Sequence, residues 1–320
     1  MHAAIVTSFD TDPHYGEFAE PVAGDGEVMV KVSAAGLHQI VRSLAKGTHY
    51  GSTGLLPFIP GVDGVGRLED GTRVYFGASR PPYGTFAERT ATARAVCWPV
   101  PEGLDDVTIA GMPNRGMSSW AALTARAKLV AGESVLILGA TGTSGQLAVQ
   151  IAKRLGARRV VAVGRNAEAL EKTKALGADA TISLMQESSA LGDAFRRELT
   201  GDGVDVVLDY LWGAPAESLL GAIAQKGLSH AAPRIRYIQI GGTAGPTISL
   251  AAATLRSSGL ELLGSGFGSV SMEQIKAAIA AFHAEAAKKP FTVDVKAVSL
   301  RDVEALWNSP EQGARLVFQP

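Results

Sequence analysis

The stretch VLILGATGTSGQLAVQIAKRLGA, Val135 to Ala157, constrains this chain more than any other. Four apolar residues read as a buried strand, the glycines and small hydroxyls as a sharp turn, and Leu147, Ile151 and Leu155 as one stripe of a helix. A strand that turns directly into a helix opens a βαβ unit. Within it, Ala140-Thr141-Gly142-Thr143-Ser144-Gly145 fits the G-x-G-x-x-G dinucleotide fingerprint with alanine in the first place. Gly142 lets the backbone approach a pyrophosphate, and Gly145 lets the helix pack on the strand. The helix itself directs free N–H groups and the positive end of its dipole at the phosphates. A second apolar run, Val160–Val163, completes the unit.

The end of that second strand selects between dinucleotides. A carboxylate there accepts hydrogen bonds from a ribose 2′-hydroxyl and favours NAD. Here the strand closes on Gly164-Arg165-Asn166, with Arg165 twenty residues beyond Gly145. A guanidinium in that place suits a 2′-phosphate, so the expected cofactor is NADPH.

At 320 residues the chain is long enough for two domains, each with its own core. Before residue 112 short β-like pieces alternate with Gly and Pro. In EVMVKVSAAG, Val28, Val30 and Val32 share one face and Met29, Lys31 and Ser33 the other, as in a half-buried strand. After GMSSWAAL the texture becomes α/β: the runs Val135–Leu138, Val160–Val163, Val206–Leu208 and Ile235–Ile240 recur between stretches rich in Ala, Lys, Glu and Leu. That alternation predicts parallel strands joined by crossover helices, a doubly wound Rossmann sheet over residues 113–287. The first domain, 1–112, is β-rich, and the tail from 288 to 320, β-like at both ends, is expected to return to it.

Charge and cysteine usage exclude several classes. Thirty Lys plus Arg against 31 Asp plus Glu leave no basic footprint for nucleic acid. Cys97 is the only cysteine, which excludes an internal disulfide and a thiolate cluster for structural zinc, and fits a reducing compartment. No secretory pattern stands at the N-terminus, so a cytoplasmic location is expected. Tyr237 to Leu255 carries no charge, but Gly241-Gly242 and Gly245-Pro246 interrupt it. It reads as strand, turn and short helix, with no membrane span.

The order of a β domain, GMSSWAAL, GATGTSGQLAVQIAKRLGA, LGAD, GVDVVLDYLWG and a returning tail resembles the zinc-independent quinone oxidoreductase branch of the medium-chain dehydrogenase/reductases. The resemblance covers nearly the whole chain. It implies a GroES-like catalytic domain made from both chain ends, a Rossmann domain between them and an active site in the cleft. It also implies a homodimer built through the last Rossmann strand, here LELLGSGF.

Departures from zinc-dependent relatives are informative. His38 stands where they carry a cysteine, and their Gly-His-Glu is Gly61-Val62-Asp63 here. Three ligands with one open position cannot be assembled from these residues, so a metal-independent enzyme is expected. Without a Lewis acid, the remaining chemistry is hydride delivery to an acceptor with its own electron sink, a quinone or an α,β-unsaturated carbonyl. Two polar cofactor contacts common in the family are missing: its lysine aligns with Ala169 and its tyrosine with Leu184, leaving Arg165 to hold the 2′-phosphate.

The resemblance also nominates residues. Ser118 stands where relatives have a threonine beside the nicotinamide ribose, or else it caps the helix that begins there. Gly241 and Gly242 would let the backbone pass close to the nicotinamide ring. His38, His49 and Tyr50 lie in the segment that lines the family's substrate pocket, whose shape also depends on Trp212 and Phe267. Tyr50 would donate to a carbonyl oxygen, and His38 would orient water or relay a proton, since imidazole titrates near neutrality. For a quinone, water suffices to reprotonate the product. None of the six tyrosines has a lysine four places on, which excludes a short-chain dehydrogenase. An enoyl-thioester reductase of the same fold and a non-catalytic NADPH-binding redox sensor stay open.

Overall fold

The computed structural model describes residues 1–100, 102–224, 232–266, 268–309 and 314–320. They form two units, Met1–Arg115 with Ala280–Pro320, and Gly116–Ile279. Both transitions fall inside helices, Pro113–Ala121 and Met272–Lys288, rather than after residues 112 and 287 where the sequence suggested them.

The first unit begins with an antiparallel pair, β1 (His2–Ile5) and β2 (His14–Glu17). Next comes β3 (Glu27–Gly36), in which Val30 and Val32 are buried and Lys31 is exposed. That alternation sets one face of β3 against Leu68, Val74 and Phe76. These come from β4 (Asp63–Leu68) and β5 (Arg73–Gly77), which with β7 (Cys97–Pro99) continue the sheet. The strand β6 (Arg89–Ala93) pairs with β3. Short helices α1 (Gln39–Ala45) and α2 (Asp106–Gly111) complete the N-terminal portion.

In the second unit α3 (Pro113–Ala121) runs into a π-helical turn, Ala122–Arg126, and then the parallel sheet begins. Its strands are β8 (Ser134–Leu138), β9 (Arg159–Gly164), β10 (Ala180–Ser183), β11 (Val206–Asp209), β12 (Arg234–Gln239) and β13 (Gly259–Gly264). They lie in the order β10-β9-β8-β11-β12-β13, the doubly wound arrangement with its switch point between β8 and β11. Every β8 residue is buried, as a central parallel strand covered on both faces requires. Connecting helices are α4 (Thr143–Arg154), α5 (Ala167–Ala175), α6 (Ser188–Thr200), α7 (Gly213–Ile223) and α8 (Ala252–Arg256). Leu136, Leu138, Val161, Val163 and Val207 pack with Phe195, Leu219 and Ile223 in one core.

The uncharged stretch Tyr237 to Leu255 falls on the end of β12, an irregular turn and α8; no helix among the described residues is long and apolar enough to cross a membrane. After α9 (Met272–Lys288) come β14 (Val295–Ser299), α10 (Val303–Leu306) and β15 (Arg315–Gln319). The last of these pairs with β3, Val317 opposite Gly36 and Phe318 opposite Ala35, so the chain end completes the first unit's sheet.

Candidate active site

The turn after β8 is shaped by two different demands on glycine. Gly139, one residue before the expected start of the fingerprint, takes the left-handed conformation, φ 90°, while Ala140 is fully buried. A Cβ on Gly145 would lie 2.2 Å from the Gly139 carbonyl oxygen and 2.6 Å from Ala140 Cα, so this glycine is fixed by the packing of α4 on its own turn. Gly142 is the opposite case. It is exposed, and a Cβ there would meet only the Gly139 carbonyl, at an ordinary 3.5 Å. Among the described residues nothing needs that side chain absent.

Gly142 is also the N-cap of α4 and offers no side chain to its first turn, where Thr143, Ser144 and Gly145 present their N–H groups and no acidic residue intervenes. Such a helix start, at the switch point of a doubly wound sheet, suits a pyrophosphate. The Thr141 carbonyl is held by Gln146 Nε2 at 3.1 Å, and the Thr141 side chain lies against Gly164, where a Cβ would come within 2.4 Å of Thr141 Cγ2. The residues present therefore fit a dinucleotide.

At the end of β9, Arg165 is exposed. Asn166 beside it caps α5, its Oδ1 accepting from the Ala169 N–H at 2.8 Å, which fixes where Arg165 leaves the strand. Leu184, after β10, packs on the unit's core.

Across the switch point, Asp209 ends β11 fully buried. Its Oδ1 accepts from the N–H groups of Leu211 (2.7 Å) and Trp212 (2.9 Å), and its Oδ2 from the Tyr237 hydroxyl (2.7 Å). Burial pushes the Asp209 carboxyl up against the opposing pull of those three donors, and burial with the neighbouring carboxylate pushes the Tyr237 phenol far up. This clamp holds Trp212 at φ 56°, ψ −159°, a region that costs a side-chain-bearing residue about 1–3 kcal/mol. The Trp212 ring, half-buried, meets Tyr237 edge-on at 6.4 Å and packs on the core. Sequence patterns did not single out Asp209, Tyr210 or Tyr237; the carboxylate at the end of an apolar strand was the available signal.

Ser118 does not cap a helix. It sits inside α3, five residues past the first, with its hydroxyl 3.3 Å from that of Tyr210. Gly241 admits Tyr210 closely: a Cβ on it would meet the Tyr210 carbonyl oxygen at 2.8 Å. One on Gly242 would come within 3.1 Å of the Gly245 oxygen. The structure thus brings together Ser118, Gly139 to Gly145 and the Gly241-Gly242 turn around the ends of β8, β11 and β12.

The two expected catalytic residues belong to the first unit. His38 is 2% exposed, its Nε2 3.3 Å from Asp63 Oδ1 but not aligned for a hydrogen bond. The Tyr75 hydroxyl donates to Asp63 Oδ2 at 2.6 Å. Burial lowers the His38 pKa; Asp63 pulls it back up, and Arg315 and Arg115 add to the lowering. Desolvation thus opposes protonation of His38, which the sequence reading takes to titrate near neutrality. Tyr50 is 75% exposed, its ring beside His49 at 4.2 Å. Phe267 lies outside the described residues. His38 and Asp63 supply two donors, Val62 offers none, and no group of three His, Cys, Asp or Glu converges among the described residues, so this donor set does not fit a catalytic zinc.

Residues 145–284 match the family model of the zinc-binding dehydrogenases, a span that lies outside the His38 and Asp63 positions. Over all of both chains the sequence is 29% identical to a probable NADPH-dependent quinone reductase, tdiC, of Emericella nidulans. The quinone oxidoreductase of Thermus thermophilus, solved also as its NADPH complex, superposes over all of both chains with a TM-score of 0.82 at 26% identity. In sequence and fold the chain is therefore similar to the zinc-independent quinone oxidoreductase branch of the medium-chain dehydrogenase/reductases. The protein is accordingly an oxidoreductase. It is also 29% identical, over 52% of its length and 47% of the other protein's, to a chloroplastic NADPH-dependent alkenal/one oxidoreductase of Arabidopsis thaliana.

Proposed function

We propose that this chain is a member of the zinc-independent quinone oxidoreductase branch, an NADPH-dependent, metal-independent reductase that delivers hydride to a quinone or an α,β-unsaturated carbonyl. The observation that carries the cofactor choice is Arg165, exposed at the end of β9 in the place where a carboxylate would select NAD. Similarity to a probable NADPH-dependent quinone reductase and to an alkenal/one oxidoreductase supports the acceptor class.

Bound in this site, reduced nicotinamide supplies the hydride. The chain's residues supply the rest. Gly142 and the first turn of α4 take the pyrophosphate, Arg165 pairs with the 2′-phosphate, and Gly241-Gly242 lets the backbone run close to the nicotinamide. A quinone or enone stabilises the added electron pair through its own carbonyl, so no metal is required. Tyr50, with an exposed phenol, is the donor proposed for that oxygen, and water returns the proton. His38, buried beside Asp63 in the first unit, is the second residue proposed for the chemistry, orienting water or relaying a proton against a burial that lowers its pKa. The first unit plays the GroES-like catalytic part. A second copy pairs through β13, the sheet's edge strand, where Leu262 is exposed, and the protein works in the cytoplasm.

The test is NADPH oxidation at 340 nm with a benzoquinone, a naphthoquinone, an enone, an enal and an enoyl-thioester, before and after exhaustive chelation. Turnover of quinone or enone unchanged by chelation is expected. Loss on chelation restores a metal; turnover of the thioester alone moves the acceptor to acyl carriers.

A further inference from the structure

Tyr210 stands where three segments of the cofactor site meet. It directly follows Asp209 at the end of β11, the neighbour of β8 across the switch point. Its Cβ lies so near the fingerprint turn that a Cβ on Gly139 would come within 3.2 Å of it. Its carbonyl accepts from Thr243 Oγ1 at 3.0 Å and closes on Gly241, which joins it to the turn after β12. Its hydroxyl shares a 3.3 Å hydrogen bond with Ser118 on α3. Its backbone N–H donates to the Leu138 carbonyl at 3.1 Å, so strand pairing fixes where the phenol starts from.

We propose that the Tyr210 hydroxyl, working as a pair with Ser118, holds the nicotinamide riboside half of the dinucleotide. The inference rests on the NADPH reading above. A dinucleotide on a doubly wound sheet crosses the switch point, with one nucleoside on each half. Arg165 at the end of β9 takes the adenosine side, so the nicotinamide side falls to the ends of β11 and β12, where Tyr210 sits. A half-buried hydroxyl pair there suits the polar edges of a riboside and its carboxamide: each oxygen both donates and accepts. Burial pushes the phenol up to about 12, so Tyr210 keeps its proton and acts as a fixed donor, not as the acid of the reaction. Aligning the ring against the acceptor is the consequence for rate.

The experiment titrates NADPH and adenosine 2′,5′-bisphosphate, which lacks the nicotinamide half, into the wild type, Tyr210→Phe, Ser118→Ala and the double variant, with melting temperatures recorded. Tyr210→Phe is expected to weaken NADPH about fivefold, as for one lost hydrogen bond, and to leave the bisphosphate and the melting temperature unchanged. The double variant is expected to lose less than the product of the single losses, because the two hydroxyls act together. Equal loss for both ligands, or none for either, overturns the inference. Failure of the wild type to bind the bisphosphate at all overturns the NADPH reading on which the inference rests.

Discussion

His283 shows how one buried side chain sets a pH limit. On α9 in the first unit, it is 4% exposed, its ring edge-on to Tyr75 at 5.1 Å, and burial alone lowers its pKa to about 4. The unfolded imidazole titrates near 6.5, so between pH 6.5 and 4 the unfolded chain takes a proton that the native chain declines. Its contribution is full above pH 6.5 and is lost as pH falls toward 4, in total about 3 kcal/mol. His38 is pushed the same way by burial. We predict that the wild type loses about 2 kcal/mol more stability between pH 7 and pH 5 than His283→Leu does, read from urea unfolding at the two values. Equal losses in the two proteins would mean that burial does not hold this imidazole neutral. The sequence offers no sign of this: HAEAAK reads as an ordinary helix end, and tertiary packing, ring contacts with Tyr75 and Phe282 included, takes His283 out of water.

Among the elements, the turn from β8 to α4 divides its glycines by purpose. Gly145→Ala places a methyl 2.2 Å from the Gly139 oxygen and is expected to destabilise the second unit by about 1–3 kcal/mol in thermal melts. Gly142→Ala has room, and is expected to leave the melting temperature within about a degree while weakening NADPH at least tenfold. A cofactor affinity untouched by Gly142→Ala would remove the pyrophosphate from this turn. Much at this scale was legible. Strands β8, β9, β11 and β12 coincide with the apolar runs to within a residue or two, because buried parallel strands are apolar on both faces. The edge strand β10, Ala-Thr-Ile-Ser, has no such run: one residue of four is buried. Tyr210 escaped because a tyrosine beyond a strand end carries no pattern; its meaning lies in what Ser118, Gly139 and Gly241 place around it.

For the whole molecule, the texture of the sequence changes from β-rich to α/β near residue 112, and the described residues divide into two units between Arg115 and Gly116. The second division lies in the middle of α9, where a continuous helical period gives no signal. The pairing of β15 with β3 joins the two chain ends in one sheet, a long-range contact that local pattern only hints at. The acceptor's identity is not written in the fold, since one fold serves many reactions, but the cofactor choice rests on a named charge. The most direct measurement is therefore the ratio of kcat/KM for NADPH to that for NADH, with one saturating quinone, in the wild type and in Arg165→Ala. The account predicts a strong NADPH preference that falls by about 10- to 100-fold on substitution, with NADH little changed. A wild type that prefers NADH, or an Arg165→Ala variant that loses both cofactors equally, would contradict it.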